Sequence, residues 1–121
     1  MGIFSVAAKI YTGFPDGARA PAEVDLLVDT GATFSVIPRA ILTRADVKAV
    51  EEREILTVDR KQLRRDLVYA GIEASGRRVL SPVLFGEADD FAVLGAVTLE
   101  IAGPVVDPEQ KKLLPRPSLL L

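Results

Sequence analysis

The sequence of 121 residues contains neither histidine nor cysteine, and that pair of absences narrows the chemistry open to it. Ser-His-Asp and Cys-His catalysis, imidazole general bases and the usual zinc sites all need a neutral base or a soft ligand near pH 7. Acid-base work must therefore fall on carboxylates, lysines or tyrosines. Among the carboxylates Asp29 stands apart. The stretch Val24-Asp25-Leu26-Leu27-Val28-Asp29-Thr30-Gly31-Ala32-Thr33-Phe34-Ser35-Val36-Ile37-Pro38 sets it at the end of an apolar run short enough for one buried strand. A second apolar cluster follows. Desolvating an ionised carboxylate is costly, so an acid held between Leu26-Leu27-Val28 and Phe34, Val36-Ile37 is the best functional candidate in the chain. The alternative is an ordinary turn, in which Asp bonds its own backbone and Gly accepts positive φ. Apolar residues against both ends weigh against it.

Leu27-Val28-Asp29-Thr30-Gly31-Ala32 resembles the active-site strand and loop of retropepsin-like aspartic proteases, the single-domain, homodimeric branch of the pepsin-type enzymes. Ala92-Val93-Leu94-Gly95 is similar to that family's second signature, two apolar residues and a glycine before a short helix. Two signatures in the right order are more specific than one short motif. The resemblance implies an aspartic endopeptidase, with a peptide or protein as substrate and neither cofactor nor metal. Its chemistry needs two carboxylates about 3 Å apart that share one proton, because they cannot both ionise at that separation. The sequence holds one Asp-Thr-Gly and no Asp-Ser-Gly, so one chain supplies half of such a dyad. A two-fold homodimer would supply the other half.

By the same resemblance, Asp29 is the catalytic residue, and Thr30 would hydrogen-bond across the dimer to brace the two loops. Gly31 would let backbone approach the carboxylates and substrate. Ala32 and Thr33 would line the cleft, and Asp59, Arg60, Lys61 and Gln62 would sit in the flap that closes over the substrate. For those four residues a solvated charged turn is an equally good reading. Leu26, Val58, Leu63 and Val83 are candidates for the apolar pockets, and the sequence does not choose among them.

Three positions depart from the retroviral pattern. Thr33 stands where those enzymes carry a second Asp, and Ala96 follows Gly95 where they carry Arg. The two losses agree with each other, since that Asp and Arg belong to one ionic network and losing one alone would strand a charge. The third departure is a flap tip without glycine. The runner-up function is a catalytically idle dimeric binding or assembly module on the same fold. A third reading is an unrelated β domain with Asp29 in a plain turn.

The elements that must position these residues follow from the apolar pattern. Residues 1–115 make one domain of a size that buries a modest core, and 116–121 form a tail. An apolar content of 49% with 26% charged residues is ordinary for a globular chain. The net charge of −2, without an extended basic stripe, argues against nucleic acid as a partner. No apolar run reaches the roughly 18 residues of a membrane span and no secretory leader is visible, so the expected location is cytoplasmic.

Strands are expected at 3–11, 23–28 and 34–37, with a turn-rich loop at Gly13, Pro15, Asp16, Gly17 and Pro21. One helical turn starts at Pro38, with proline in its first position. Residues 49–54 read as a solvated strand. Arms at 55–58 and 67–70 would flank a polar centre, Asp59 to Asp66, as a projecting hairpin. A second hairpin turns at Ser75-Gly76 and continues through Pro82-Val83-Leu84-Phe85. Residues 96–102 form a short helix stopped by Gly103 and Pro104, and a last hairpin pairs 105–108 with 111–114. The expected fold is mostly β, a closed antiparallel barrel of the retropepsin-like type with one short C-terminal helix.

Overall fold

The computed structural model describes residues 4–12, 20–118 and 120. The expectations at Ile3, at the turn formers Gly13, Pro15, Asp16 and Gly17, and at Leu119 and Leu121 lie outside the described residues. The strands are β1 (Ser5–Tyr11), β2 (Ala22–Val28), β3 (Ser35–Pro38), β4 (Glu51–Leu56), β5 (Gln62–Ala74), β6 (Arg77–Gly86), β7 (Val93–Leu94), β8 (Val105–Asp107) and β9 (Lys112–Leu114). Helix α1 (Arg39–Arg44) follows β3 and α2 (Ala96–Ala102) follows β7. The chain is mostly β, as the density of β-branched and apolar runs predicts.

The main sheet runs β1-β2-β7-β3-β6-β5-β4, and β1 also pairs with β5. Six strands therefore form a ring that returns to β1, with β4 attached to β5 outside it. The sheet is mixed, which corrects the expectation of an antiparallel barrel at two pairings. Strand β7 lies between β2 and β3, parallel to β2 and antiparallel to β3. These two neighbours run in opposite directions, so a strand between them must be parallel to one. The β3–β6 pairing is parallel as well.

The core draws on the strands of this ring together with α1. Ile10, Leu26, Ile37, Leu42, Ile72, Val83 and Leu94 are fully or almost fully buried and belong to one apolar cluster. Each such side chain contributes about 1.5–3 kcal/mol relative to exposure. Leu26 and Val83 are thus core residues, not pocket residues. Val58 is wholly exposed at 105%, and Leu63 is half-buried.

The projecting hairpin exists with a different boundary. β5 starts at Gln62, so residues 62–66 of the expected polar centre are strand, and the turn is confined to 57–61. The reason is that the charges find cross-strand partners. Arg64 Nη1 bonds Glu52 Oε1 at 2.5 Å and its Nη2 reaches Glu54 Oε1 at 3.2 Å, and a strand can carry charged residues that are paired this way. The solvated strand and the first arm, expected apart, are the single strand β4.

The described residues form two helices where one was expected in the fold class. α1 extends the expected single turn to Arg44, and Pro38 ends β3 as the residue before the helix, with φ −52° and ψ 137°. Its extended ψ keeps it outside the first turn. α2, by contrast, matches the expected span, and Gly103 ends it in the left-handed conformation with φ 75°, as glycine at that position allows. Ser75 and Gly76 make the second hairpin with positive φ at both positions, the geometry of a two-residue turn. The tail residue Arg116 accepts at its carbonyl a bond from Arg77 Nη2 at 2.6 Å, while Leu120 is 98% exposed.

Candidate active site

The Asp29 loop begins where β2 stops pairing. Leu27 and Val28 lie beside Val93 and Leu94 of β7, and the Asp29 amide continues that contact by donating to the Leu94 carbonyl at 3.1 Å. The chain then turns, with the Ala32 amide donating back to the Asp29 carbonyl at 3.2 Å. At the far end of the loop the Ala96 amide donates to the Ala32 carbonyl at 2.7 Å, and the Val97 amide to the Thr33 carbonyl at 3.0 Å. The two segments singled out in the sequence, Leu27 to Ala32 and Ala92 to Gly95, are therefore one structural unit, joined by backbone bonds at both ends of the loop.

The carboxylate has a donor of its own. The Gly31 amide donates to Asp29 Oδ1 at 2.9 Å, which fixes the side chain. Asp29 is exposed, and so are Thr30, Gly31 and Thr33; Ala32 is half-buried. The expectation of a carboxylate held in an apolar setting is corrected in this respect. The buried positions are on either side, at Leu26, Ser35 and Ile37, while the loop between them lies at the rim where the strands end.

Gly95 is required by packing. A Cβ there would stand 2.5 Å from both the carbonyl carbon and oxygen of Phe34, and 2.9 Å from the Ser35 nitrogen. All three are backbone atoms with no room to yield. The close approach seats the start of α2 against the segment leaving the Asp29 loop.

Asp59, Arg60, Lys61 and Gln62 lie together at the hairpin end. The Thr57 hydroxyl bonds the Asp59 carboxylate, accepts from the Lys61 amide at 3.0 Å, and the Lys61 ammonium lies 3.8 Å from Asp59 Oδ2. Arg60 takes φ 66°, the left-handed region that glycine would occupy without cost. Among the described residues no hydrogen bond or ion pair joins these four to Asp29–Thr33. The hairpin does touch the loop's exit through Arg53 of β4, whose guanidinium lies 5.6 Å from the Phe34 ring centroid.

Three buried hydroxyls behind the loop carry no sequence signal beyond being small polar residues inside apolar runs. Ser35, Ser81 and Thr98 are 0%, 0% and 2% exposed. Thr98 Oγ1 lies 2.6 Å from Ser35 Oγ and 2.7 Å from Ser81 Oγ, and Ser35 Oγ accepts from the Gly95 amide at 2.9 Å. Among the described residues no cluster of three or more acidic side chains is placed to hold a metal ion, and no helix is long and apolar enough to cross a membrane.

The arrangement offers an exposed carboxylate on a braced loop, fit to act as a general base or as half of a carboxylate pair. Compared with known proteins, the sequence matches no family model and no curated protein.

Proposed function

We propose that the chain is an aspartic endopeptidase of the retropepsin-like type, active as a homodimer in which Asp29 of each copy contributes one carboxylate to a shared pair. The observation that carries this reading is the join between the two signatures, since the loop bearing Asp29 is tied through Leu94, Ala96 and Val97 to the glycine and helix that follow. Exposure of Asp29, Thr30, Gly31 and Thr33 leaves the carboxylate face open to a second copy. The six-strand ring, the projecting β4–β5 hairpin and the late helix α2 are consistent with a closed barrel of that type.

In the shared pair one carboxylate is ionised and the other protonated. The ionised group takes a proton from water as the water oxygen bonds the substrate's carbonyl carbon, and the protonated group gives its proton to the carbonyl oxygen. The tetrahedral intermediate then breaks its C–N bond as a proton is returned to the leaving nitrogen. The Gly31 amide donates to its own Asp29 carboxylate at 2.9 Å and holds it in place. Thr33 and Ala96 lack the charged pair of the retroviral enzymes, and backbone bonds from Ala96 and Val97 to Ala32 and Thr33 tie the same segments without it. Substrate contacts made by that pair would accordingly differ.

The test is hydrolysis of a peptide mixture by the purified chain, with and without a statine-type transition-state analogue. Hydrolysis that the analogue stops and Asp29→Asn abolishes supports the proposal. Hydrolysis that survives Asp29→Asn refutes it, and a dimeric chain that binds peptides without cleaving them would establish the idle module instead.

A further inference from the structure

The three buried hydroxyls form a chain with a donor at one end and an acceptor at the other. The Gly95 amide is a donor only, and it bonds Ser35 Oγ at 2.9 Å. The Pro82 carbonyl is an acceptor only, and it receives Ser81 Oγ at 3.2 Å. Each hydroxyl has one proton to donate. With the Ser81 proton on Pro82, the order that satisfies every hydroxyl has Thr98 donating to Ser81 and Ser35 to Thr98. The order is Gly95 N–H to Ser35 to Thr98 to Ser81 to the Pro82 carbonyl, with every hydroxyl donating once and accepting once. Among the described residues no buried side-chain polar atom lacks a partner.

A chain running one way in a dry interior strengthens each of its members, and loss of one link leaves the others unsatisfied where water cannot replace it. Its members come from three elements, β3, α2 and β6. The end at Gly95 is the functional one. Gly95 has backbone atoms of Phe34 and Ser35 against the place where a side chain would be, its neighbour Leu94 accepts the Asp29 amide, and Ala96 and Val97 grip the loop's exit.

We propose that Ser35, Thr98 and Ser81 are positioning residues for Asp29, holding the Gly95 backbone and the start of α2 in the one placement that aims the Asp29 carboxylate. The kinetic part of this inference rests on the peptidase reading; the geometric part does not. None of the three hydroxyls touches substrate. They act through Gly95 and Leu94, and the rate falls when the hydroxyl chain is cut because a misplaced catalytic group loses rate steeply with small displacements.

Thr98→Val keeps the shape and cuts the chain in the middle, while Thr98→Ser keeps the hydroxyl. Two readouts are needed in the full chain. In peptide hydrolysis, Thr98→Val is expected to lower kcat by about ten- to a hundredfold with KM nearly unchanged and to move the limbs of the pH profile, and Thr98→Ser to restore most of the rate. In amide hydrogen exchange, Thr98→Val is expected to speed exchange at Asp29, Gly95, Ala96 and Val97, with the β5–β6 ladder unchanged.

Unaltered exchange at those four amides, or an equal rise through the whole sheet, overturns the proposal, as does a Thr98→Ser variant as slow as Thr98→Val. If Thr98→Val fails to fold, Ser81→Ala shortens the chain from its far end, and the same local exchange pattern is expected from it; its absence counts against the proposal equally. If the unmodified chain cleaves no peptide, the peptidase reading fails while the exchange measurement still decides this one.

Discussion

The Asp29 amide donates to the Leu94 carbonyl at 3.1 Å, and this bond joins the loop after β2 to the end of β7, two segments more than sixty residues apart in sequence. The Asp29 loop also closes on itself through the Ala32 amide and β7 also pairs with β3, but the bonds between the two segments are shared, so changes at one should be felt at the other.

Asp29→Asn should leave stability nearly unchanged, within about 0.5 kcal/mol, because the side chain is exposed and most exposed substitutions fall in that range. Hydrolysis should be lost. Thermal unfolding together with a peptide-cleavage assay separates the two effects. Mixing the variant with the unmodified chain in equal amounts should leave roughly half the activity expected from the unmodified chains present, since random pairing into two-fold dimers makes half of all dimers hybrid. Activity that simply scales with the unmodified chain would mean that one carboxylate suffices.

Gly95→Ala should destabilise the fold by about 2–4 kcal/mol, at the upper end for an overpacked site, because the added methyl would meet Phe34 backbone at 2.5 Å. Gly31→Ala should be much milder in stability. There the nearest atom is Asp29 Oδ1 at 3.2 Å, a side-chain atom that can move, so the effect should appear in the rate. Chemical denaturation of both variants, compared at equal slope, checks the contrast.

Arg60→Gly should stabilise the hairpin end by up to about 1 kcal/mol, since Arg60 occupies φ 66° and a side chain there carries roughly 1–2 kcal/mol of steric cost. Part of that gain is offset by the greater freedom of glycine in the unfolded chain. A loss of stability would mean that the Arg60 side chain makes a contact more valuable than its strain.

Arg65 grips Asp90 with two bonds, Nε to Oδ2 at 2.7 Å and Nη2 to Oδ1 at 2.9 Å. The guanidinium holds the Asp90 carboxyl below its ordinary value, against the opposing effect of burial, and the bond accepted from the Glu87 amide acts in the same direction as Arg65. A depressed folded-state value means that the stabilisation is complete above the unfolded value of about 3.9 and is lost as pH falls through the lower folded value. Asp90→Asn should therefore cost at most about 1 kcal/mol near neutral pH, and its stability should decline less steeply than that of the unmodified chain below about pH 4. Urea unfolding from pH 2 to 7 gives the comparison. Equal slopes below pH 4 would show that the pair contributes nothing.

Much of this fold could be read from the residues in order. The apolar runs located β1, β2 and β3, glycine and proline ended α2, and Ser75-Gly76 turned the β5–β6 hairpin. The pairing partners could not be read so directly. β7 has two residues, too few for any periodicity, and its place between β2 and β3 depends on strands far away in sequence. The length of β5 is hidden in the sequence for a related reason, since Gln62 to Asp66 look like a polar turn until Glu52, Glu54 and Asp90 are in place beside them.

The candidate site divides in the same way. The sequence by itself singled out Asp29 as the carboxylate for chemistry, because a chain without His or Cys offers few other groups and the loop that carries Asp29 has apolar residues pressed against both ends. It also joined that acid in kind to the later Val93-Leu94-Gly95. Only the tertiary structure decided that the Asp29 carboxylate is exposed at a rim rather than enclosed, and that the brace behind it is a line of hydroxyls from Ser35, Thr98 and Ser81. Small polar residues carry no period and no charge to mark them. Their meaning arises from burial and from distances near 2.7 Å across three elements, quantities that exist only once the chain has folded.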